Sequence, residues 1–290
     1  MASDPATTIA FQGAPGAYSD LACREVHPEM TTLARPSFED VFSAVEEGAA
    51  RLAMIPIENS VAGRVADIHH LMPDSSLHII GEHFQRINHR LLAVKGASVE
   101  ELKSVHSHVH ALAQCRRLIA ELNLHPVVHA DTAAAAAEIA ERADPSMAAI
   151  GSSLAAEIYG LDTLRSDIED ADHNTTRFLI MAREADPPPP HDGATITSFI
   201  FEVRSVPASL YKALGGFATN GVNMTKLESY MVGGRFSQAQ FYADIEGHPE
   251  ERPVRLALEE LDFFSRSVRI VGVYRAHPHR LNEAIDLDRD

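Results

Sequence analysis

The sequence predicts an α/β protein of two domains, an alternating strand–helix region followed by a smaller βαββαβ domain. Three observations carry this expectation. Apolar strand-like runs alternate with helical patterns over the first 182 residues, the signature of a mainly parallel sheet. Four consecutive prolines at 187–190 then forbid helix and sheet ladders and favour a stiff spacer. Beyond them the pattern changes to strand, helix, two strands, helix, strand, the ferredoxin-like order.

Each element has a local reason. Thr8-Ile9-Ala10-Phe11 is an apolar run that ends in Gly13-Ala14-Pro15-Gly16, a strand followed by a turn. Ser37, with Asp40 three residues on, caps a helix that carries Val41, Phe42 and Val45. Leu52-Ala53-Met54-Ile55-Pro56-Ile57 and Leu91-Leu92-Ala93-Val94 are buried-strand runs. Ala111, Leu112, Cys115, Leu118, Ile119 and Leu122 share one face of a single helix over 111–122. Val127-Val128 is a short β-branched strand, and Asp131-Thr132 caps an alanine-rich helix. Ala148-Ala149-Ile150 and Phe178-Leu179-Ile180-Met181 complete the first region.

In the second region, 196–203 reads as a strand and Pro207 opens a helix through Leu210, Leu214 and Phe217. Asn220-Gly221 stops that helix. Strands follow at 222–232 and 236–245, joined by the hairpin signal Gly233-Gly234. An amphipathic helix at 250–264 and a strand at 268–274 close the domain. The expected boundaries are 7–185, a linker at 186–194, and 195–276.

Composition narrows the function. The chain has 290 residues and a net charge of −16, which repels nucleic-acid phosphates and anionic membrane surfaces. No uncharged apolar run approaches the ~18 residues a membrane span needs. Met1-Ala2-Ser3-Asp4-Pro5 lacks a basic segment ahead of an apolar one, so no signal peptide is expected. Cys23 and Cys115 sit on helix faces as core residues and build no disulfide framework. The default is a cytoplasmic protein acting on a small molecule, with neither nucleic acid nor membrane as partner.

Motifs for common cofactors are missing. Gly13-Ala14-Pro15-Gly16 lacks the third spacing of a dinucleotide fingerprint, and Val222 stands where a phosphate loop needs Lys. No Gly-x-Ser-x-Gly elbow occurs. His106, His108 and His110 alternate, but no Asp, Glu or Cys joins them locally and a helix starting at Ala111 breaks the alternation, so no metal is expected.

Polar groups at strand ends remain, where α/β sheets bind ligands. The turn Gly13-Ala14-Pro15-Gly16-Ala17-Tyr18-Ser19 offers backbone amides and a helix start to a carboxylate, or is a plain tight turn. Pro56-Ile57-Glu58-Asn59-Ser60 places three polar groups after an apolar strand, for binding or for a helix cap. Asn174-Thr175-Thr176-Arg177-Phe178 joins two hydroxyls and a fixed charge, an anion clamp or a surface ion pair.

Taken in order along the chain, these segments resemble the prephenate dehydratases that carry a C-terminal ACT regulatory domain. The resemblance rests on Gln12-Gly13-Ala14-Pro15-Gly16-Ala17-Tyr18-Ser19 and Pro56-Ile57-Glu58-Asn59-Ser60-Val61-Ala62-Gly63. It continues through Ser107-His108, Ala111-Leu112-Ala113-Gln114-Cys115, Asp131-Thr132, Tyr159-Gly160-Leu161 and Asn174-Thr175-Thr176-Arg177-Phe178. It implies a catalytic domain of two subdomains like a periplasmic binding protein, the second at about 85–165, plus a ferredoxin-like ACT domain.

The implied reaction converts prephenate to phenylpyruvate, CO2 and water without cofactor or metal, since aromatisation drives it. The implied catalytic residue is Thr176, assisting departure of the ring hydroxyl. Arg177 and the amides near Ala17 and Tyr18 are expected to hold carboxylates, with Phe178 as a dry wall. Asn59, Ser60, Ser107, Thr132 and Thr175 complete the expected lining.

The resemblance also implies L-phenylalanine as effector, bound between subunits of a dimer or tetramer. Its expected contacts are Ala208, Ser209, Leu210, Asn223, Met224, Thr225, Glu228 and Ser229. Two positions depart from the family pattern: Tyr230-Met231 replaces Arg-Pro after Glu228-Ser229, and Ala208 stands near a missing glycine. Two rival readings are arogenate dehydratase and a non-catalytic amino-acid sensor. The alanine run at 133–137 beside Thr132 leans towards prephenate by resemblance, and an intact Thr176-Arg177-Phe178 speaks against a sensor.

Overall fold

A computed structural model describes residues 4–65, 68–204, 206–232 and 235–280. The Gly233-Gly234 turn signal, residues 1–3 and the acidic stretch 283–290 lie outside these. The first elements are β1 (Thr8–Gln12), α1 (Tyr18–Val26), β2 (Thr31–Arg35), α2 (Phe38–Glu46), β3 (Leu52–Asn59), β4 (Gly63–Arg64), α3 (Ile68–Leu71) and β5 (His78–Arg86). Next come β6 (Arg90–Ala93), β7 (Ser104–His108), α4 (Val109–Gln114), α5 (Arg116–Glu121), β8 (His125–His129), α6 (Thr132–Arg142), β9 (Met147–Gly151), α7 (Ser153–Tyr159), β10 (Asp162–Ser166) and β11 (Thr175–Ala182). The last are β12 (Thr195–Val203), α8 (Ser209–Thr219), β13 (Met224–Val232), β14 (Arg235–Glu246), α9 (Arg252–Phe264) and β15 (Ser265–Arg275).

The chain divides into two compact units, with boundaries inside β5 and β11. The first holds the residues up to Val65 and His83–Phe178. The second holds Ala66–Glu82 and the residues from Leu179 on. Residues 66–82, which the sequence reading assigns to the first region, therefore group with the second.

Two sheets build the first unit. In one, β1 lies between β2 and β3 and is parallel to both. The other runs β10-β6-β9-β7-β8. There β7 is parallel to β8 and β9, while β6 is antiparallel to β9 and β10, so this sheet is mixed rather than mainly parallel. Alternate side chains along its strands feed two cores. Leu91, Val105 and Ile150 pack with Leu112, Cys115 and Leu118. Leu92 and Ala149 pack with Ala135, Ala136, Ile139 and Ala155. Alanines at 133, 135 and 136 are fully buried and let α6 lie close to the sheet.

Caps form where the sequence signals them. Ser37 accepts from the Asp40 amide at 3.1 Å, and Asp131 from the Ala134 amide at 2.7 Å. The single helix expected over 111–122 is instead two, α4 and α5, broken at Cys115. Asp170 causes the break by accepting from the amides of Arg116 and Arg117 at 2.9 and 3.1 Å, which starts a new helix there. His106 and His108 share a face of β7, and the helix that breaks the alternation begins at Val109, before His110. His108 caps α4 and His110 lies within it.

The second unit has the expected βαββαβ order, with strands arranged β13-β14-β12-β15. Phe199, Phe201, Phe217, Phe241, Ala257 and Leu261 fill the space between its sheet and its helices. The first residues of β5 extend the sheet beside β15, with Gly272 opposite Ile79. A Cβ on Gly272 would stand 2.5 Å from the Ile79 carbonyl oxygen, so this close pairing requires glycine. No helix among the described residues is long and apolar enough to cross a membrane.

Candidate active site

The C-terminal end of β3 and the start of β11 bring Asn59 and Thr176 together. Asn59 Nδ2 donates to Thr176 Oγ1 at 2.9 Å and to Asn174 Oδ1 at 2.8 Å. Its Oδ1 accepts from the Val61 and Ala62 amides at 2.9 and 2.7 Å. Four bonds thus fix one carboxamide and its orientation. Because Thr176 accepts from Asn59, its own O–H remains to donate to another group. Thr176 is half-buried, so solvent and small molecules reach it.

Behind this pair lies a row of side chains in which Gln114 and His89, not expected as site residues, join Asn174 and Tyr18. Gln114 Oε1 accepts from Asn174 Nδ2 at 3.0 Å and lies 2.8 Å from His89 Nε2. With Gln114 Oε1 as acceptor, Nε2 carries the hydrogen, and the Tyr18 hydroxyl, 2.9 Å from both His89 Nδ1 and the Asn88 carbonyl oxygen, shares its one proton between two acceptors. Asn174 and His89 are almost fully buried. Burial also lowers the pKa of His89, so the ring is neutral. Burial, with Cys115 and Glu169 nearby, raises that of Tyr18, so its hydroxyl keeps its proton. The Asn88-His89 pair precedes an apolar strand, whereas Asn59 ends one, so the strand-end signal that marked Asn59 does not mark His89.

Other expected lining groups are placed differently. The turn amides do not form an open cradle. Gly13 N–H donates to Arg35 O at 2.9 Å, Ala14 N–H to Asp131 at 3.2 Å, Gly16 N–H to Asp20 at 2.9 Å and Ala17 N–H to Ala14 O at 3.0 Å. Ala17 is the residue before α1, and Tyr18 opens that helix. Ser107 is fully buried and donates to Ile150 O at 2.6 Å. Ser60 donates to His173 O at 2.7 Å and accepts from the Thr175 amide at 2.9 Å, which clips β3 to β11. Arg177 is buried, not a surface ion pair, and donates to Glu58 at 2.9 Å. Phe178 is buried beside it in sequence, and Thr132 is half-buried at the first turn of α6. Among the described residues no cluster of metal-ligating side chains occurs.

The expected effector residues fall on two elements of the second unit. Ala208 and Ser209 start α8, with Leu210 in its first turn. Asn223 precedes β13, which carries Met224, Thr225, Glu228 and Ser229 at the sheet edge.

Comparison with known proteins gives the family. The family model for prephenate dehydratase matches residues 9–186. A bifunctional N-acyl-homoserine lactone acylase/prephenate dehydratase of Komagataeibacter europaeus is 52% identical over 94% of this chain and 97% of its own. An arogenate dehydratase/prephenate dehydratase of Arabidopsis thaliana is 36% identical over 92% of this chain and 72% of its own. A crystal structure of prephenate dehydratase in complex with L-Phe, from Arthrobacter aurescens, superposes with a TM-score of 0.85. It is 31% identical over 93% of this chain and 90% of its own. The chain belongs to the prephenate dehydratase family of hydro-lyases.

Proposed function

We propose that the first unit converts prephenate to phenylpyruvate, CO2 and water, with Thr176 as the residue that assists the departing hydroxyl. The observation that carries this is the Asn59–Thr176 hydrogen bond, in which the threonine oxygen accepts and its O–H is left to donate to the departing group. Loss of the ring carboxylate pushes electrons through the diene, and the ring C–O bond breaks. Hydroxide is a poor leaving group, so a placed donor lowers the barrier, typically by ~10²–10⁴ in rate. Placement matters more than acidity for so weak an acid as threonine.

The first turn of α1, opened by Tyr18, holds one carboxylate, where the helix dipole favours an anion, while the Ala17 amide stays with Ala14 O. Arg177 holds the other by exchanging Glu58 for it; Glu58 is about one-third exposed, so water can take over its charge. Phe178 keeps the ring carboxylate dry, and Thr132 and Thr175 line the rest. Ser60 and Ser107 support the backbone around them. Within this reading the two sheets of the first unit are the two subdomains of a binding-protein-like fold.

The βαββαβ unit is read as an ACT domain that binds L-phenylalanine through residues 208–210, 223–225 and 228–229 in a dimer or tetramer. The crystal structure in complex with L-Phe supports this. Feedback is then a coupling between two sites, and substrate alters phenylalanine affinity by the same factor. A cytoplasmic location fits the composition. Assay of the purified protein on prephenate and on arogenate, beside Thr176→Val, tests the assignment. Turnover of arogenate alone selects the aminated substrate. Equal rates for parent and variant remove Thr176 from the chemistry.

A second reading has its own support. The relative named as an acyl-homoserine lactone acylase aligns over nearly its whole length, so its second activity lies within the aligned region. The same activity here is hydrolysis of an N-acyl amide.

A further inference from the structure

Four side chains away from Thr176 form one hydrogen-bonded row in the mixed sheet. Ser104 and His106 lie two residues apart on β7 and so on the same face. Ser104 Oγ is 3.0 Å from His106 Nε2. His106 Nδ1 is 3.0 Å from Nε2 of His129, at the end of the neighbouring β8. His129 Nδ1 is 3.3 Å from Glu138 Oε2 on α6, and Arg142 pairs with the other carboxylate oxygen.

The row has a direction. A carboxylate only accepts, so His129 Nδ1 carries a hydrogen and its Nε2 accepts. His106 Nδ1 then carries a hydrogen, which leaves its Nε2 as acceptor for the serine hydroxyl. With both rings neutral, the serine proton points at an imidazole that a carboxylate backs through a second ring. His106 is nearly buried, whereas Ser104 is partly exposed at the start of its strand. A shielded base beside a reachable hydroxyl is the arrangement that nucleophilic catalysis by serine needs. Burial, reinforced by the His129 ring, lowers the pKa of His106 and keeps it an available base.

We propose that Ser104 is a nucleophile for acyl transfer, activated by His106 with His129 and Glu138 behind it, at a site separate from Thr176. The proposal rests on the acyl-amide reading above and gives it residues. The Ser104 oxygen attacks the acyl carbonyl carbon and its proton passes to His106 Nε2. The carbon–nitrogen bond breaks, and the leaving amine takes that proton. Water then attacks the acyl-serine ester, gives a proton to His106, and the proton returns to Ser104 as the acid departs. The sum is amide plus water to acid plus amine.

The test uses the full chain and a fluorophosphonate, which labels activated serines, with peptide mass spectrometry. Label on Ser104 is expected, absent in Ser104→Ala and slowed about 10²-fold or more in His106→Gln. Hydrolysis of p-nitrophenyl butyrate should fall in step, while turnover of prephenate by Ser104→Ala stays at the parental rate. A thermal melt matching the parent supplies the folding control independently of dehydratase activity. An unlabelled Ser104 in folded protein, or parental ester hydrolysis by Ser104→Ala, overturns the proposal. Labelling together with release of homoserine lactone from its N-acyl form, lost in Ser104→Ala, upholds both site and amide substrate. Labelling without that release upholds the nucleophile and overturns the amide reading.

Discussion

Asn59 and Thr176 are 117 positions apart in the chain, yet the Asn59 carboxamide donates to the Thr176 hydroxyl at 2.9 Å. The bond aligns an otherwise freely turning O–H. Thr176→Val removes the donor but keeps the shape, so turnover of prephenate should fall by ~10²–10⁴ with little change in melting temperature. Thr176→Ser should retain most activity. Asn59→Ala keeps the hydroxyl but frees its rotation, so kcat should fall more than KM rises. Steady-state formation of phenylpyruvate by the three variants measures this, and an active Thr176→Val would contradict it.

His89 gives stability a pH dependence of known sign. The Tyr18 hydroxyl, Gln114 and Glu169 face it, and burial outweighs the upward pull of the last two on its pKa. A histidine with a lowered folded pKa contributes fully above its unfolded value of about 6.5. As pH falls below that, the unfolded chain takes up the proton and the folded one does not. Stability therefore declines from about pH 6.5 down towards the folded value. His106 and His108 are shifted in the same direction and add to the slope. Denaturant titrations at about pH 7.5 and about pH 5 should show the decline, and His89→Gln should flatten it. An unchanged slope in the variant would remove His89 as a source.

What was legible in the sequence was local or strongly periodic. Ser37 and Asp131 each bond an amide three residues away, so a short motif contains the whole cap. The break at Cys115 was hidden because its cause, Asp170, lies 54 residues from Arg116. β2 is half-buried and β10 mostly exposed, both carry Thr and Arg side chains, and no apolar alternation marks them. The site divides in the same way. Asn59 and Thr176 stand in polar segments at strand ends, where ligands bind in such sheets. Gln114 was hidden inside an apolar helical pattern, and the burial of Arg177 against Glu58 was hidden because the two lie 119 residues apart.

Gly16 is required by both its backbone and its neighbour. Its φ is +91°, and a Cβ there would stand 2.8 Å from the Ala155 Cα, a backbone atom that cannot swing aside. The surrounding loop is also tied down, with Ser152 donating to Gly16 O at 2.6 Å. Gly16→Ala should cost at least ~1–3 kcal/mol and lower activity, because the turn leads directly into Tyr18. Gly160 also has a left-handed φ but nothing within 4 Å of its Cβ position. Gly160→Ala should therefore cost only about 1 kcal/mol. Equal losses for the two in urea melts would show that close packing at Gly16 adds nothing.

Ala208 presents the converse case. It precedes α8 with φ 60° and ψ 20°, a left-handed conformation that strains any residue with a Cβ. Its side chain is exposed, so removing the methyl opens no cavity. Relief of strain works for Ala208→Gly, while the greater freedom of glycine in the unfolded chain works against it. Strain relief of ~1–2 kcal/mol exceeds the entropic penalty of ~0.5–1 kcal/mol, so the variant should be the more stable by about 0.5 kcal/mol or more. The position also lies among the proposed phenylalanine contacts, where a missing Cβ lets a ligand approach the backbone more closely. Calorimetric titration with L-phenylalanine should then show tighter binding by Ala208→Gly than by the parent. A stabilised variant with unchanged affinity would confine Ala208 to the folding of α8 and remove it from the effector site.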